Sequence, residues 1–366
     1  MDFKYYLVLS IHLIACVYLS KPLYLIAPSF LKHFYFKLLD YISFLLFTYL
    51  TFQFTKKRFL NDKVDAKDKA VFITGCDTGF GHLLAKRLDS KGFQVLAGCL
   101  LPDSKGAAEL RRWCSQRLRV IPLDVSQDDS VNKALELAKD YMRRDGTTMW
   151  CVVNNAGVYR GISTELSRME DFKYSMEVNA FGMVRVTRVF LPLLKKTRGR
   201  VVNVTSLVGR IAVRELTPYC LSKHAAVALN DCLRQEMKVW GVSVVSLEPE
   251  LFQTQLTNNE ALEEQIAATL SELPSSIEED YGKPYFEDLR KSKAKFINYA
   301  SPKVKVVVND LESAVTLKYP DYHYKPRRSL FMRFLMFCFE VIPSYFRDIC
   351  VQIVEILLRS PKPKAA

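Results

Sequence analysis

The sequence predicts an α/β protein built on a single doubly wound parallel sheet of about seven strands, with helices on both faces. Two observations lead to this fold class. From about Lys69 onward, short runs of β-branched and apolar residues alternate with longer amphipathic segments. The runs are almost continuously apolar, as expected for strands that helices cover on both sides. Strands that alternate with helices in this way indicate a parallel sheet.

Six apolar runs are predicted to be strands, in chain order Ala70–Thr74, Gln94–Cys99, Leu118–Leu123, Met149–Val153, Arg200–Thr205 and Val242–Leu247. The principal amphipathic segments between them are predicted to be helices: Gly81–Ser90, Ser130–Arg144, Met169–Lys195 and Ser222–Trp240. Residues 255–300 carry many charges and helix-forming residues without a clear strand. We therefore expect them to form a helical insertion on the substrate side, acting as a substrate lid.

Residues 1–60 are predicted to be a membrane anchor of one or two apolar segments. One apolar stretch runs from Tyr5 to about Leu31 and a second from Tyr41 to Phe54. A membrane span needs about 20 apolar residues, which the first stretch reaches if Lys21 lies near an interface. The Lys56-Lys57-Arg58 cluster would then hold the following domain on the cytoplasmic side.

Two other interpretations of the N-terminal residues fit less well. A cleaved signal peptide is disfavoured, because the small-residue cleavage pattern and a strongly positive start are both missing. A mitochondrial transit peptide is disfavoured because residues 1–57 contain no arginine. The anchor therefore remains the preferred interpretation.

The C-terminal residues 326–366 are predicted to be an apolar and basic extension. Within it, Leu330–Leu358 is apolar with interspersed charges, which suits helices that lie on the domain or in a membrane interface. The formal net charge of the chain is +13, and Arg327-Arg328 stands beside this apolar stretch. This placement suggests contact with an anionic membrane surface. Because the chain has no zinc-finger spacing, no RNA-binding run and no long basic helix, we do not expect nucleic-acid binding.

The cysteine pattern indicates a reduced protein without a metal site. The chain has nine cysteines, an odd number, scattered through predicted strands and helices without any Cys-x-x-Cys spacing. This is not the pattern of a disulfide framework or of a zinc site.

A glycine-rich loop directly follows the first predicted strand and opens a helix. It reads Thr74-Gly75-Cys76-Asp77-Thr78-Gly79-Phe80-Gly81. Glycines let the backbone approach a pyrophosphate closely, and the helix N-terminus supplies unpaired N–H groups and a partial positive charge. The loop is therefore predicted to bind a dinucleotide in a Rossmann-type domain, with these contacts: Gly75, Asp77, Thr78, Gly79, Phe80 and Gly81.

Further motifs follow at regular places. Asn154-Asn155-Ala156-Gly157 follows the fourth strand, Ser206 follows the fifth, and Tyr219 and Lys223 form a Tyr-x-x-x-Lys pair. With Asn179, these residues resemble the short-chain dehydrogenase/reductase family over roughly residues 68–325, the predicted catalytic domain. The resemblance implies a catalytic set of Asn179, Ser206, Tyr219 and Lys223. It implies further cofactor contacts at Asp124, Val125, Asn155, Ala156, Gly157, Tyr219, Lys223, Pro249 and Thr254.

The Tyr219–Lys223 pair has its own physical logic. Residues four apart share one helix face. A free tyrosine has a pKa of about 10, but a nearby ammonium and an oxidised nicotinamide favour the phenolate. Tyr219 is therefore predicted to be the general acid/base that exchanges the alcohol proton, while Ser206 holds the substrate oxygen. The resemblance implies that Lys223 also holds the nicotinamide ribose and that Asn179 fixes a water.

The cofactor is predicted to be NAD rather than NADP. The 2′-phosphate of NADP needs an Arg or Lys near the end of the second strand or in the glycine loop. The loop carries Asp77 instead, and the strand ends Gly98-Cys99-Leu100 without a base.

One position departs from the family pattern. The family has Pro-Gly after the sixth strand, whereas this chain reads Glu248-Pro249-Glu250. Glu250 adds a side chain and a charge beside the expected nicotinamide position, which could narrow the pocket or weaken cofactor binding.

The finer resemblance is to the branch that contains retinol dehydrogenases, 17β-hydroxysteroid dehydrogenase type 2 and D-3-hydroxybutyrate dehydrogenase. The segments that carry it include Ser90-Lys91-Gly92-Phe93 and Arg198-Gly199-Arg200. A lipophilic alcohol, steroid or retinoid, is the favoured substrate. A hydroxy acid is the alternative, with Arg210 and Arg214 as a carboxylate clamp. A slow or non-catalytic nucleotide-binding or lipid-binding scaffold is a third hypothesis.

The resemblance also bears on location and assembly. We expect the endoplasmic reticulum membrane with the catalytic domain facing the cytosol, or alternatively a mitochondrial membrane. A homodimer or tetramer through the long helices is expected by analogy only.

Overall fold

The computed structural model describes residues 29–257 and 259–358. They fall into two units, of which the first ends at Asp62 and the second begins at Lys63. The first contains one described helix, α1, at Ser29–Phe59. The predicted apolar stretch Tyr41–Phe54 lies within α1, whereas most of the stretch from Tyr5 to Leu31 lies outside the described residues. Across residues 29–257 and 259–358, no helix combines the length and apolarity that crossing a membrane requires.

The second unit is organised around a seven-stranded sheet in the order β3-β2-β1-β4-β5-β6-β7. All six neighbouring pairs are parallel, which confirms the predicted parallel α/β fold. The strands are β1 Lys69–Thr74, β2 Gln94–Cys99, β3 Leu118–Pro122, β4 Thr148–Asn154, β5 Arg200–Val204, β6 Ser243–Leu247 and β7 His323–Tyr324. The six predicted runs are the first six strands. The seventh has only two residues, too few to produce an apolar run.

Helices cover both faces of the sheet. The described helices of this unit are α2 Gly79–Ser90, α3 Lys105–Trp113, α4 Asp128–Asp145, α5 Met169–Met176, α6 Gly182–Thr197, α7 Thr217–Met237, α8 Asn259–Ser271, α9 Ser275–Tyr281, α10 Lys283–Asn298, α11 Val304–Thr316, α12 Leu330–Val341 and α13 Ser344–Leu358. One core cluster joins α2, α3 and α11 to the sheet, and a second joins α4, α6 and α7 to its other face. In the second cluster the rings of Phe72 on β1 and Phe190 on α6 lie 4.4 Å apart.

The long helix predicted at Met169–Lys195 is interrupted. A π-helical turn at Glu177–Phe181 separates α5 from α6. Such single turns place an extra residue in the helix and often mark functional sites. The apolar periodicity is helical on either side of the turn, so the sequence pattern gave no sign of the interruption.

Other differences concern helices that the sequence pattern missed or merged. Helices α3 and α11 were not predicted, and α7 begins at Thr217, five residues before the predicted start. Residues 255–300 contain three helices, α8, α9 and α10, whose small core includes Leu289 and Ile266 and is shared with Ile162 and Leu166.

The order of the strands decides where a ligand can bind. Chain order reverses between β1 and β4, so the crossovers from these two strands run to opposite sides and leave a crevice beyond their carboxyl ends. The glycine-rich loop follows β1 and the Asn154-Asn155-Ala156-Gly157 loop follows β4. The candidate site therefore lies at this edge of the sheet.

Candidate active site

The glycine-rich loop turns tightly from β1 into α2. Gly75 and Gly79 have φ values of +69° and +65°, which L residues with side chains rarely adopt. Gly81 has an ordinary helical conformation, but a Cβ placed on it would lie 2.4 Å from the Gly75 carbonyl oxygen and 2.5 Å from Asn155 Nδ2. The loop therefore needs glycine for two different reasons, backbone conformation and close packing.

The loop after β4 is fastened to the end of β1 by Thr74 and Asn155. Thr74 Oγ1 accepts hydrogen bonds from the backbone N–H groups of Asn155 and Ala156, both at 2.9 Å. Asn155 Nδ2 donates to the carbonyl oxygens of Thr74 and Gly75 at 2.9 and 3.0 Å. These bonds set the width of the crevice between the two loops.

Asp77 has a structural task that the sequence did not reveal. Its two carboxylate oxygens accept hydrogen bonds from the backbone N–H groups of Leu100 and Leu101, each at 2.9 Å. Asp77 thus holds the loop after β2, and it also lines the large cavity described below.

Asp124 and Val125 follow β3 at the same edge. One carboxylate oxygen of Asp124 accepts hydrogen bonds from the N–H and the hydroxyl of Ser126, at 2.9 and 2.7 Å. A Cβ on Gly182, at the start of α6, would lie 2.8 Å from Val125 Cγ2, so this glycine lets the helix pack closely. Both predicted contacts line the large cavity described below.

Ser206, Tyr219 and Lys223 converge beyond the end of β5. Ser206 forms a hydrogen bond with Tyr219. Lys223 is 4% exposed, and its Nζ donates to the carbonyl of Val204, the last residue of β5, at 3.2 Å. Its ammonium lies 5.6 Å from the centre of the Tyr219 ring. The spacing of four residues on α7 accounts for this proximity.

The pKa of Tyr219 differs from the expected one. Burial raises it to about 12, and the hydrogen bond with Ser206 acts in the opposite direction. Burial also lowers the pKa of Lys223 to about 8. Both shifts have one cause, because an apolar environment disfavours the charged form of each group. In the protein groups by themselves burial is therefore the dominant effect, and the lowering of the Tyr219 pKa by Lys223 together with an oxidised nicotinamide stays a prediction.

Asn179 lies in the π-helical turn and is completely buried. Its Oδ1 accepts from the Val158 N–H at 2.8 Å, and its Nδ2 donates to the Val158 carbonyl and to Ser222 Oγ, both at 2.9 Å. A Cβ on Gly157 would lie 3.2 Å from Asn179 Oδ1 and 3.6 Å from Lys223 Nζ. The structure therefore brings Asn179 beside Lys223, and the Asn179 side chain anchors the loop after β4.

Pro249, Glu250 and Thr254 follow β6 and line the same cavity. The Pro249 carbonyl accepts from the Leu207 N–H at 2.9 Å, which ties this loop to the one that carries Ser206. Glu250 does not stand unpaired at the nicotinamide side. It forms an ion pair with Arg328, in which Arg328 Nε lies 3.2 Å from Glu250 Oε1.

A single large cavity of about 570 Å³ connects these groups. Its dinucleotide side contains the loops after β1, β3 and β4. The rest of its lining is mainly apolar and includes Val208, Val213, Leu216, Leu251, Leu256, Phe296, Ile297, Met332 and Met336, beside the polar residues Gln255, Lys293, Tyr299 and Arg328. Tyr219 and Ser206 lie among the residues that line the cavity.

The arginines considered as a carboxylate clamp do not line this cavity. Arg210 faces Glu248, with Nη2 3.0 Å from Oε1, and Asp231, with Nη1 3.4 Å from Oδ2. Arg214 is exposed on the loop before α7. The clamp formed by these two residues is therefore not supported.

The Arg327-Arg328 run was expected to face a membrane surface, and this prediction is wrong. Arg327 is 7% exposed and donates to the Glu248 carbonyl at 2.5 Å. Arg328 pairs with Glu250 and donates to the Tyr299 carbonyl at 2.7 Å. Their partners lie 29 to 79 residues away along the chain, so no local pattern indicated them.

Sequence reasoning also missed several residues at this site. Tyr159 follows the loop after β4, and its ring packs edge-on against Tyr219 with centres 5.5 Å apart. Thr74 is a polar residue at the end of an apolar run, which was the available signal for its role. Met332 and Met336 reach the cavity from the C-terminal extension, and only their spacing of four residues hinted at a shared face.

These features fit a nicotinamide dinucleotide. The cradle at Gly75 and Gly81 leaves no room for a Cβ, and Gly157 opens towards Asn179 and Lys223. Backbone that permits a close approach and the N-terminus of α2 are the groups that bind the pyrophosphate of such a cofactor.

Comparisons with known proteins agree with this geometry. Residues 69–265 match the family described as short chain dehydrogenase. The chain is 40% identical over 276 residues to the mitochondrial D-beta-hydroxybutyrate dehydrogenase of Rattus norvegicus, covering 74% of this chain and 80% of that protein. It is 40% identical over 258 residues to the 17-beta-hydroxysteroid dehydrogenase type 6 of Rattus norvegicus, covering 70% and 80%. It is also 40% identical over 263 residues to retinol dehydrogenase 5 of Mus musculus, covering 71% and 81%.

Solved structures share the fold. A short chain dehydrogenase/reductase from Burkholderia phymatum, in complex with NAD, superimposes with a TM-score of 0.60 at 19% identity, covering 82% of this chain and 98% of that one. A short chain dehydrogenase from Burkholderia cenocepacia, in complex with NADP, has a TM-score of 0.55 at 20% identity, covering 76% and 100%.

Proposed function

Because this chain belongs to the short-chain dehydrogenase family, in the branch of the hydroxybutyrate, hydroxysteroid and retinol dehydrogenases, we propose that it interconverts a lipophilic alcohol and its carbonyl with NAD. The observation that carries the proposal is the meeting of Tyr219, Ser206 and Lys223 in a cavity whose lining is mainly apolar.

Tyr219 performs the proton transfer in this proposal. When bound, the nicotinamide cofactor supplies the hydride acceptor or donor and, when oxidised, a positive charge that favours the phenolate. In oxidation the Tyr219 phenolate accepts the hydroxyl proton of the alcohol, and in reduction its hydroxyl donates that proton to the carbonyl oxygen.

Ser206 and Lys223 prepare Tyr219 for this task. The Ser206 hydroxyl lowers the pKa of Tyr219 by hydrogen bonding and orients the substrate oxygen. Lys223 stabilises negative charge near the phenol and holds the ribose. Asn179 keeps the loop after β4 in place beside Lys223 through its two bonds to Val158.

The preference for NAD is supported by the charges around the adenosine end of the cavity. Asp77 and Leu100 line this end. The basic residues that line the described cavity are Lys223, Lys293 and Arg328, which come from other parts of the fold. A 2′-phosphate would therefore meet the carboxylate of Asp77, with no cation among the described residues that line this end of the cavity.

A lipophilic substrate is supported by the apolar wall opposite the cofactor loops. Two cations do face this side, but each has an acidic partner. Lys293 Nζ lies 3.5 Å from Glu215 Oε2, and Arg328 pairs with Glu250. A free carboxylate would have to compete with these pairs, whereas a steroid or retinoid alcohol needs only apolar surface and one hydrogen-bonding end.

The test is NADH formation, measured by absorbance, by the detergent-solubilised protein with NAD and three alcohols: estradiol, retinol and D-3-hydroxybutyrate. We expect turnover of the steroid or the retinoid. Turnover of hydroxybutyrate alone would refute the lipophilic substrate. Nucleotide binding without turnover of any alcohol would support a non-catalytic scaffold instead. Replacing NAD by NADP in the productive reaction tests the cofactor preference.

We also propose that residues 1–60 attach the protein to a membrane, which would present lipophilic substrates to the cavity. The support is the apolar composition of these residues. An alkaline wash of membranes that contain the full chain or a chain without residues 1–60 tests this. Equal retention of both chains would assign attachment to another segment.

A further inference from the structure

Glu250 and Arg328, here called the latch, connect two segments that lie far apart in the chain. Glu250 follows β6, and its side chain is 4% exposed. Arg328 lies just before α12, and its Nε is 3.2 Å from Glu250 Oε1. The backbone N–H of Arg328 donates to the same carboxylate oxygen. Both the side chain and the main chain of the C-terminal segment are thus held by one acidic group.

Arg328 also binds the end of the substrate-side insertion. Its Nη1 donates to the Tyr299 carbonyl at 2.7 Å, and its guanidinium lies 4.6 Å from the centre of the Tyr299 ring. Tyr299 follows α10, and both residues line the cavity. The latch therefore joins the β6 loop, the end of α10 and the start of α12 at one place.

Helix α12 begins directly after the latch. Ser329 caps it by accepting a hydrogen bond from the Met332 N–H at 3.1 Å. Met332 and Met336 are four residues apart, so they share the helix face that lines the cavity. The exposed face is apolar as well, with Phe334 67% exposed. Apolar character alone therefore leaves open which face turns inward, so polar contacts must orient the helix: the latch before its first turn and, near its end, the ion pair of Glu340 with Lys325.

We propose that the Glu250–Arg328 latch fixes the position of α12 so that Met332 and Met336 set the length of the substrate pocket. In this inference, which rests on the proposed function, Glu250 and Arg328 are positioning residues and the two methionines determine specificity. The inference gives a role to Glu250, the acidic residue at the position after Pro249 where the family has glycine.

The physical reason is the cost of leaving a charge unpaired. If Arg328 loses its charge, the nearly buried Glu250 carboxylate keeps the hydrogen bond from the Arg328 N–H but loses the cation in contact with it. We expect the loop and the helix to move so that water can reach the carboxylate. Methionine side chains are flexible and adapt to many shapes. A shifted α12 would then remove the fixed contacts with a long alcohol at the far end of the pocket without touching Tyr219.

The experiment compares the full-length wild type with Arg328→Gln, Glu250→Gln and the double variant. Arg143→Gln is the control, because it breaks an exposed pair on α4. The first readout is hydrogen–deuterium exchange of α12 and of strands β1 and β4. The second is kcat/KM for a long alcohol, estradiol or retinol, relative to cyclohexanol.

We expect each single variant to speed the exchange of α12 amides by about tenfold, since breaking the pair permits local opening, while β1 and β4 stay protected. The double variant should be no worse than the worse single variant, because two partners of one interaction are not additive. The ratio of kcat/KM for long over short alcohol should fall in both single variants and stay constant in Arg143→Gln.

Unchanged exchange in α12 in both single variants would refute the latch, whatever the enzyme turns over. If wild type oxidises no alcohol, the proposed function fails, while the exchange result still decides whether the latch positions α12. If a latch variant fails to fold, Met336→Ala provides a second test. It removes side-chain volume from the pocket and leaves the latch intact. An unaltered preference between long and short alcohols in this variant would refute the role of α12 in specificity.

Discussion

The substitution Gly81→Ala tests whether close packing, rather than backbone conformation, requires this glycine. Gly81 lies in the first turn of α2 and has no positive φ. By helix propensity alone, alanine should stabilise the helix by about 1 kcal/mol. The added Cβ would instead lie 2.4 Å from the Gly75 carbonyl oxygen and 2.5 Å from Asn155 Nδ2. Neither neighbour can yield easily, because one is backbone and the other is bonded to Thr74 and Gly75.

We therefore expect the steric clash of the added Cβ to destabilise the protein by more than the helix propensity of alanine stabilises it. Overpacking of this kind costs about 1–3 kcal/mol, which for a domain of this size lowers Tm by roughly 2–10 °C. Because Gly75 and Asn155 line the cofactor side of the cavity, their displacement should also weaken binding of NADH. A loss of about 1.4 kcal/mol in binding corresponds to a tenfold increase in Kd.

The assay is thermal unfolding with and without NADH, together with NADH fluorescence titration. Gly146→Ala is the control, since its Cβ would meet nothing within 4 Å although its φ is +66°. The control should lose some stability and keep its affinity for NADH. A higher Tm and an unchanged Kd for Gly81→Ala would refute the packing argument.

The remaining predictions concern the reaction, the cofactor and the pH dependence of stability. Tyr219→Phe should lower kcat by at least about 100-fold, the lower end for loss of a general acid/base, with NAD affinity within a few-fold; retained turnover would remove Tyr219 from its proposed role. Leu100→Arg should raise kcat/KM with NADP relative to NAD, because it supplies the cation that a 2′-phosphate needs; an unchanged ratio would contradict the assignment of this end of the cavity. Glu248 is completely buried, and although burial by itself raises its pKa, hydrogen bonds from His323 and Arg210 lower it from 4.5 to about 2. The ionised carboxylate should contribute on the order of 3 kcal/mol to the free energy of unfolding above pH 4.5, and this contribution should disappear as the pH falls towards 2. Urea unfolding of Glu248→Gln should not show this loss of stability over the same pH range.

Much of the fold could be predicted from the sequence because its signals are local. A strand covered on both faces must be apolar along its whole length, and six such runs predicted six strands. Tyr219 and Lys223 lie one helical turn apart, so their proximity follows from spacing alone. The glycine-rich loop between strand and helix indicated a dinucleotide site for the same reason.

Other features depend on where distant segments meet, and only the tertiary structure decided them. In the sequence, Glu250 is a departure from the family pattern with no visible partner. In the structure its partner is Arg328, which lies 78 positions later in the chain. Arg210 could have been a substrate clamp, but Glu248 at the end of β6 engages it. The pKa of Tyr219 was expected to fall beside Lys223 and an oxidised nicotinamide, whereas in the protein groups alone burial raises it, and burial depends on the assembled cavity. Periodicity and spacing specify what a segment forms, whereas the charges and apolar surfaces it will face are set by the packing of the whole chain.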